Sequence, residues 1–330
     1  MPSSPTPALT RSPDALLATS TRNGLIECRY YGSVVVLGPT GDVLFDVGSA
    51  TDAVYGRSSN KPLQAVAMLR AGVTLDDRQL ALATASHSGS REHLDVVMST
   101  LRAAGLTEAA LRNVAARPLG APEALEFARS GEKPSALTMN CSGKHAAMLA
   151  TCVKNGWDTR SYLDPTNPLQ ALVTEVVEEL AGETSTTIGV DGCGAPAHAL
   201  SLRGLARAFS RIMRGDDRSA EGRVVAAIRR HPDLVGGRGR DVTRLLQAEP
   251  TWIAKDGADG VFAAALPDGT AVAVKISDGS AVVRVPVLLG ALVAAGVGVD
   301  GEAESLMSVM VTGGGQPVGE LRSVLTVLQR

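Results

Sequence analysis

Residues 33–47, SVVVLGPTGDVLFDV, contain the pattern that decides the fold. Two apolar stretches, 33–37 and 43–47, flank a Gly-Pro-Thr-Gly-Asp turn, which predicts an antiparallel hairpin. Near the other end of the chain, residues 260–265 and 270–276 flank Asp268-Gly269 and predict further antiparallel strands. Apolar residues between these regions recur mostly at helical spacing. Strands from both ends of the chain therefore predict an α+β protein, whose antiparallel sheet is flanked by helices.

The two ends of the chain complete this outline. Residues 1–22 are rich in Pro, Ser and Thr, and we expect a flexible tail there. A single domain should follow over residues 23–330, with its helical lobe over roughly 60–230. The amphipathic pattern near 318–328 predicts a C-terminal helix.

Composition excludes several classes of protein. The formal net charge is −2 and no basic stripe carries interleaved aromatics, so we expect no nucleic-acid partner. No apolar run has the length of a membrane span or of a signal peptide, so we expect a cytoplasmic protein without a membrane partner. In such a chain the four cysteines predict no disulfide framework. The chain has six lysines against 26 arginines, so a lysine in a Ser- or Gly-rich setting is informative.

The segment Arg57-Ser58-Ser59-Asn60-Lys61-Pro62 precedes an apolar helical pattern. Residues three apart share one face of a helix, so Ser58 and Lys61 can form a pair in which the amine takes the hydroxyl proton. Chance alone predicts roughly half a Ser-x-x-Lys match in this chain. A second match, Ser130 to Lys133, lies in a loop with no helix behind it. Helix capping by a serine of the first match is the competing interpretation.

Two later segments resemble the remaining parts of a serine acyl-transfer site. Ser86 lies in Ala85-Ser86-His87-Ser88-Gly89, and Lys255 lies in Ala254-Lys255-Asp256-Gly257 beside a predicted strand. This order of Ser-x-x-Lys, serine loop and Lys-x-Gly is typical of penicillin-recognising serine enzymes. A loop at a helix end and a solvated strand end are the competing interpretations.

Cysteines occur in two Gly-containing loops, in Asn140-Cys141-Ser142-Gly143-Lys144-His145 and Asp191-Gly192-Cys193-Gly194-Ala195-Pro196. Two thiolates and the imidazole of His145 could bind a soft divalent metal such as zinc. Neither loop has C-x-x-C spacing, and two free thiols in tight turns are the competing interpretation.

Taken in order, RSSNKP, ASHSG, CSGKH, DGCGAP and AKDGADG resemble the asparaginase II family, the rhizobial-type L-asparaginases, over about residues 24–322. The resemblance implies a fold similar to serine β-lactamases and glutaminases, hydrolysis of L-asparagine to L-aspartate and ammonia through an acyl-enzyme, and a homodimer. It implies Ser58 as nucleophile with Lys61 as its base, and a second pair, Ser86 and Lys255.

The same resemblance assigns a metal and a substrate pocket. It implies one zinc ion per subunit held by Cys141, Lys144 and Cys193, which tunes substrate binding more than it performs the chemistry. Arg57, His145 and Asp191 fall in the same blocks, and we expect them to bind substrate.

Two other functions remain open at this stage. A glutaminase, or another serine acyl hydrolase of the same fold, would share this pattern, because one methylene of substrate length is worth only ~1–3 kcal/mol. A zinc-binding amino-acid sensor that lacks turnover would also keep the pocket residues.

Overall fold

The structure is a computed structural model, and it describes residues 14–325. Its strands are β1 Ala15–Arg22, β2 Leu25–Leu37, β3 Val43–Val47, β4 Ala53–Tyr55, β5 Thr187–Val190, β6 Pro196–Ser201, β7 Ile253–Asp256, β8 Val261–Ala265, β9 Ala271–Ile276, β10 Ser308–Gly313 and β11 Gln316–Ser323. Its α-helices are α1 Lys61–Arg70, α2 Asp77–Ala83, α3 Arg91–Ala103, α4 Ala121–Ser130, α5 Ser142–Asn155, α6 Pro168–Ala181, α7 Leu202–Met213, α8 Ala220–Arg230, α9 Pro232–Val235, α10 Asp241–Ala248 and α11 Arg284–Ala294. Short 3₁₀ turns occur at Arg57–Asn60, Glu108–Ala110 and Glu304–Leu306.

The main sheet joins both ends of the chain, and this confirms the predicted α+β class. Its strands follow the order β10-β11-β1-β2-β9-β8-β7, and each pairing is antiparallel. β3 pairs with β2, from Val34 opposite Val47 to Leu37 opposite Val43, which is the predicted hairpin. A smaller sheet has the order β4-β6-β5.

Helices cover both faces of the middle of the main sheet. Residues 32–37 of β2 and all of β8 are buried at successive positions. Because successive side chains of a strand point to opposite faces, both faces must be covered. Helices α7 and α11 both pack against β2, β8 and β9. The core between them is built from Ala, Val and Leu, as the composition requires.

Two predictions at the chain ends are wrong. The predicted flexible tail over residues 1–22 includes β1, which pairs with β2 on one side and with β11 on the other. The predicted C-terminal helix near 318–328 is instead β11 as far as Ser323. β1 pairs with β11 across about 300 positions, which local periodicity cannot reveal. The hairpins that join β1 to β2 through Asn23-Gly24, and β10 to β11 through Gly314-Gly315, do carry local turn signals, which the prediction overlooked. Residues 1–13 and 326–330 lie outside the described part of the chain.

The candidate site lies where the helical middle meets the main sheet. The 3₁₀ turn Arg57–Asn60 leads directly into α1, and α1 is buried from Lys61 to Leu69. This turn packs against the end of β7 and the start of β8. A Cβ at Gly257, just after β7, would lie 2.8 Å from Gly56 O and 2.9 Å from Ser59 Oγ, so only glycine permits this approach. Across residues 14–325, no helix has the length and apolar character needed to cross a membrane.

Candidate active site

Ser58 lies in the 3₁₀ turn, one residue after a strained position. Arg57 has a φ of 51°, in the left-handed region that non-glycine residues rarely adopt. The Ser58 residue is 9% exposed, and its Oγ makes no hydrogen bond to any residue of the described chain. Backbone strain of this kind clusters at functional sites, where the surrounding structure holds the residue in place. The turn thus presents a serine hydroxyl whose lone pairs and proton are all available.

Lys61 is almost completely buried, and its amine has hydrogen-bond partners other than Ser58. Its Nζ donates to Ser86 Oγ at 3.1 Å, to Cys141 Sγ at 3.2 Å and to the carbonyl oxygen of Ala85. The direct Ser58–Lys61 hydrogen bond expected from the sequence is not formed within the described structure. These three acceptors match the three donor positions of a lysine ammonium, so another acceptor can bind only by exchange.

Ser86 is held in place by its backbone. Its N–H donates to Val235 O at 3.1 Å, and Ser88 N–H donates to Gly236 O at 2.8 Å, so the serine loop pairs with the segment after α9. Gly237 has a φ of 131°, and a Cβ there would lie 2.0 Å from Ser88 Oγ. The Gly-Gly-Arg-Gly-Arg segment at 236–240 therefore supports the serine loop, a role that no sequence motif predicted.

Lys255 also contacts Ser86, so Lys61, Ser86 and Lys255 form a hydrogen-bonded chain of three residues. Its Nζ donates to Ser86 Oγ at 3.1 Å, and it also forms an ion pair with Asp256. Complete burial lowers the pKa of Lys255 to about 8; Asp256 opposes this shift and the charge of Lys61 adds to it. About a tenth of Lys255 is then a free amine at pH 7, so a buried proton acceptor is available near neutral pH.

Two further charged residues, Arg240 and Asp256, contact the Lys61–Ser86–Lys255 chain, and neither was predicted as a site residue. Arg240 donates to Asp256 Oδ2 at 2.8 Å and to the carbonyl oxygen of Ser86 at 3.3 Å. Burial opposes ionisation of Asp256, but the charges of Lys255, Arg240 and Arg284 hold the pKa of its carboxyl group well below the usual range. The adjacency of Asp256 to Lys255 was a visible signal, whereas the role of Arg240 depends on loop packing.

The two loop cysteines lie together beside this chain. Lys144 Nζ donates to Cys193 Sγ at 3.3 Å, and a hydrogen bond joins the Cys141 thiol to Cys193. That hydrogen bond lowers the pKa of the Cys193 thiol far below its ordinary value, and the Lys144 charge adds to the effect although burial opposes it. The same hydrogen bond and burial raise the pKa of the Cys141 thiol. The charge of Lys144 therefore favours one thiolate in the Cys141–Cys193 pair.

This cluster matches the donor set that the resemblance assigns to zinc. Two sulfur atoms and one amine converge at Cys141, Cys193 and Lys144, and thiolates are preferred zinc ligands. Within residues 14–325, no three His, Cys, Asp or Glu side chains are grouped so that they could hold a metal ion. Since the assigned set contains only two such residues, the lysine is essential to it, and the donor chemistry of these three residues fits the ion.

Arg57 and Asp191 form the exposed edge of the site. Arg57 Nε donates to Asp191 Oδ1 at 2.8 Å, and its guanidinium also pairs with Asp259. The Arg57 side chain is 26% exposed, so this ion pair is open to solvent while the lysines behind it are not. The edge therefore presents one cation between two anions, Asp191 and Asp259, so groups of both signs are available to a zwitterion.

His145 lies behind the thiols, away from this edge. It is fully buried, its Nδ1 is 2.8 Å from Tyr162 Oη, and its imidazole also interacts with the Cys193 thiol. Burial lowers the pKa of His145 to about 4, and the charge of Lys144 adds to this effect. The imidazole is neutral at pH 7 and lies deeper than a substrate-binding residue at the open edge would.

Comparison with known proteins identifies a family and distant structures. The family model for L-asparaginase II matches residues 18–323. No curated protein matches the chain. A crystal structure of a putative β-lactamase from Bacteroides dorei is 15% identical with a TM-score of 0.44, over 79% of this chain and 93% of that one. A β-lactamase from Mycobacterium bovis is 16% identical with a TM-score of 0.39, over 76% of this chain and 88% of that one.

A third solved structure is that of Mglu in its glutamate form. It is 15% identical with a TM-score of 0.42, over 76% of this chain and 56% of that one. This chain therefore spans little more than half of Mglu, and similarity at this level transfers no activity.

Proposed function

Because this chain belongs to the L-asparaginase II family, whose model spans residues 18–323, we propose that it hydrolyses L-asparagine to L-aspartate and ammonia. Family membership supports the broader class, an amidohydrolase. The observation that carries the proposal is the buried chain Lys61–Ser86–Lys255, in which Ser86 Oγ is 3.1 Å from both amines. Such a chain can transfer protons between buried groups, and amide hydrolysis by a serine needs groups that accept and return a proton.

Ser58 is the proposed nucleophile, because the lone pairs of its Oγ accept no hydrogen bond from the described residues. Ser86 Oγ accepts hydrogen bonds from two amines, so both of its lone pairs are engaged. Ser58 Oγ accepts none and is the more exposed of the two. Attack on the amide carbon needs a free lone pair and access to substrate, and both conditions favour Ser58.

Proton movement can then be written so that it balances. A proton passes from Lys61 to Ser86 Oγ while Ser86 gives its own proton to the free amine of Lys255, which leaves Lys61 neutral. As Ser58 Oγ bonds to the amide carbon, its proton passes to Lys61, whose amine exchanges one present acceptor for Ser58. Hydrogen bonds of this kind often tighten only when substrate is bound.

Collapse of the tetrahedral intermediate breaks the carbon–nitrogen bond. Lys61 returns the proton to the leaving nitrogen, ammonia departs, and an aspartyl ester of Ser58 remains. Water then attacks this ester, gives a proton to Lys61, and the same proton restores the Ser58 hydroxyl as aspartate leaves. Each half-reaction takes one proton to Lys61 and returns it, so Lys61 is again neutral, and return of the proton from Lys255 through Ser86 restores its ammonium form.

Substrate recognition is proposed for the exposed ion pair. The α-carboxylate of asparagine would pair with Arg57 and its α-ammonium with Asp191, so the zwitterion would replace the Arg57–Asp191 pair while Arg57 keeps its pair with Asp259. This exchange would bring the side-chain amide toward Ser58, the residue that follows Arg57. His145 would act from behind, by positioning the thiols rather than by touching substrate.

Cys141, Lys144 and Cys193 would hold zinc. When bound, the ion supplies a Lewis-acidic anchor that orients substrate. Elemental analysis should find about one zinc per chain in purified protein and almost none in Cys141→Ala. Full zinc occupancy in Cys141→Ala, or none in the wild type, would remove this assignment. The homodimer and the cytoplasmic location remain predictions from the sequence.

A coupled ammonia assay with asparagine and glutamine side by side tests the function. We expect faster release from asparagine, with aspartate formed in equal amount. Faster release from glutamine would make the protein a glutaminase. Calorimetric binding of asparagine without any ammonia release would make it a sensor, and a lack of both would end the proposal.

A further inference from the structure

A second cavity lies next to the candidate active site but does not open onto Ser58 or the thiols. Its volume is about 560 Å³, within the range of small-molecule sites. Its walls include Leu119 before α4, Val282 and Val285 around the start of α11, and Leu306 and Val309 near β10. Leu119 and Val282 are each 49% exposed, so the rim presents apolar side chains to solvent. Most of this wall would favour an apolar ligand body.

The cavity also carries an excess of positive charge. Arg240, Arg244 and Arg284 line it against one acidic residue, Asp241. Arg284 is paired with Asp241 at 2.6 Å, and Arg240 is paired with Asp256 at 2.8 Å. The exposed guanidinium of Arg244 has no hydrogen bond or ion pair anywhere in residues 14–325. One cation of the cavity therefore lacks a counter-charge.

Three helices begin at the cavity wall, which adds to its positive potential. Helices α4, α10 and α11 start at Ala121, Asp241 and Arg284, respectively, and the residue before each start makes no side-chain capping hydrogen bond. Within α10, Asp241 Oδ1 accepts from the N–H of Val242 at 2.9 Å, so α4 and α11 contribute more of the unpaired N–H groups. Unpaired N–H groups and the helix dipole both favour an anion at such ends.

We propose that this cavity is a second ligand site, which binds a small molecule with one carboxylate and an apolar body. Only one arginine is free of a counter-ion, which matches a single negative charge. The carboxylate would pair with Arg244, and the body would cover the apolar wall formed by Leu119, Val282 and Val285. The proposal does not depend on asparagine hydrolysis, because binding can be measured without turnover.

Arg240 connects this site to the chemistry. The same guanidinium lines the cavity and donates to Ser86 O and to Asp256. A bound carboxylate would share the charge of Arg240 with these two acceptors. Ligand binding is therefore expected to alter turnover without competing with substrate.

Titration calorimetry of the whole protein with octanoate tests the proposal, and octan-1-ol serves as the neutral probe. We expect octanoate to bind, octan-1-ol to bind at least tenfold more weakly, and Arg244→Gln to weaken octanoate binding about tenfold. Arg91→Gln is the matched control, because Arg91 is an exposed arginine on α3, outside the cavity, and should leave binding unchanged.

Several outcomes would overturn the proposal. Equal binding of octanoate and octan-1-ol would show that the charge is not recognised, and an unchanged affinity in Arg244→Gln would show that the anchor is wrong. Displacement of octanoate by L-aspartate would make the cavity part of the substrate site. If Val282→Glu converts a dimer to a monomer in light scattering, the face is an interface between copies and not a ligand site.

Discussion

Ser58 and Ser86 belong to the same candidate site but differ in every property that governs reactivity. Ser58 follows a strained residue in a 3₁₀ turn, is 9% exposed, and its Oγ has no partner in the described chain. Ser86 is 3% exposed, is fixed by its backbone, and accepts hydrogen bonds from Lys61 and Lys255. A hydroxyl with free lone pairs can attack, whereas one between two amines is suited to carry protons. Division of the work between two serines follows from this difference.

Replacement of Ser58 by alanine should have the largest effect. Loss of the attacking atom should lower kcat at least about 10⁴-fold, with the fold unchanged. Ammonia release measures the rate, and mass spectrometry of acid-quenched protein should show an aspartyl adduct on the wild type alone.

Peptide mapping of the acid-quenched adduct tests directly whether Ser58 or Ser86 is the nucleophile. The adduct should lie on the peptide that contains Ser58. An adduct on the peptide that contains Ser86 would reverse the two roles, and substantial turnover by Ser58→Ala would do the same.

Replacement of Ser86 by alanine should have the next largest effect. The proton path between the two lysines would be interrupted, and a lost proton-transfer group lowers turnover by about 10²–10⁴-fold. The KM for asparagine should change little, because Ser86 does not touch substrate in this scheme. Ser88→Ala is the control, since Ser88 lies in the same loop and donates only to Gly236 O. An equal loss in both variants would indicate damage to the loop rather than to the proton path.

The pH profile should show the state of Lys255. Turnover needs the free amine, so kcat/KM should rise with pH along a limb near pH 8, the value to which burial lowers the pKa of Lys255. Asp256 raises the pKa of Lys255, so Asp256→Asn should move the limb to lower pH. Arg240 lowers the pKa of Lys255, so Arg240→Gln should move it to higher pH. Shifts of both variants in one direction would contradict this assignment.

The sequence predicted the features of this site that depend on neighbouring residues better than those that depend on residues distant in the sequence. The hairpin at 33–47 and the helix from Lys61 were predictable because turn residues and apolar periodicity are local signals. The five motifs were also sufficient to bring Ser86, Lys255 and the thiols into one proposed site. The direction of the Lys61 amine was not predictable, because its acceptors at Ala85, Ser86 and Cys141 come from distant segments.

The predictions for the two ends of the chain failed partly for the same reason. β1 and β11 were predicted as a tail and a helix. Their mutual pairing spans about 300 positions and has no local signal, but the turns Asn23-Gly24 and Gly314-Gly315 are local hairpin signals that the prediction overlooked. Arg240 was not predicted as a site residue, because its two acceptors come from β7 and the serine loop. Sequence spacing shows which residues share one face of a helix, but tertiary packing determines which hydrogen-bond partners they have.

The smallest expected effect comes from Ser59, the neighbour of Ser58. Ser59 is fully buried and its Oγ donates to Lys255 O at 3.2 Å, so Ser59→Ala should lower the free energy of unfolding by about 1 kcal/mol. Ser58 Oγ has no such bond, so Ser58→Ala should change that free energy by less than about 0.5 kcal/mol. Urea unfolding and ammonia release should be measured on both variants. Ser59→Ala should lose stability and keep most of its turnover, whereas Ser58→Ala should keep its stability and lose its turnover. If both variants lose stability equally, the hydroxyl of Ser58 is a structural group, and the contrast between a free and a fixed serine no longer supports the mechanism.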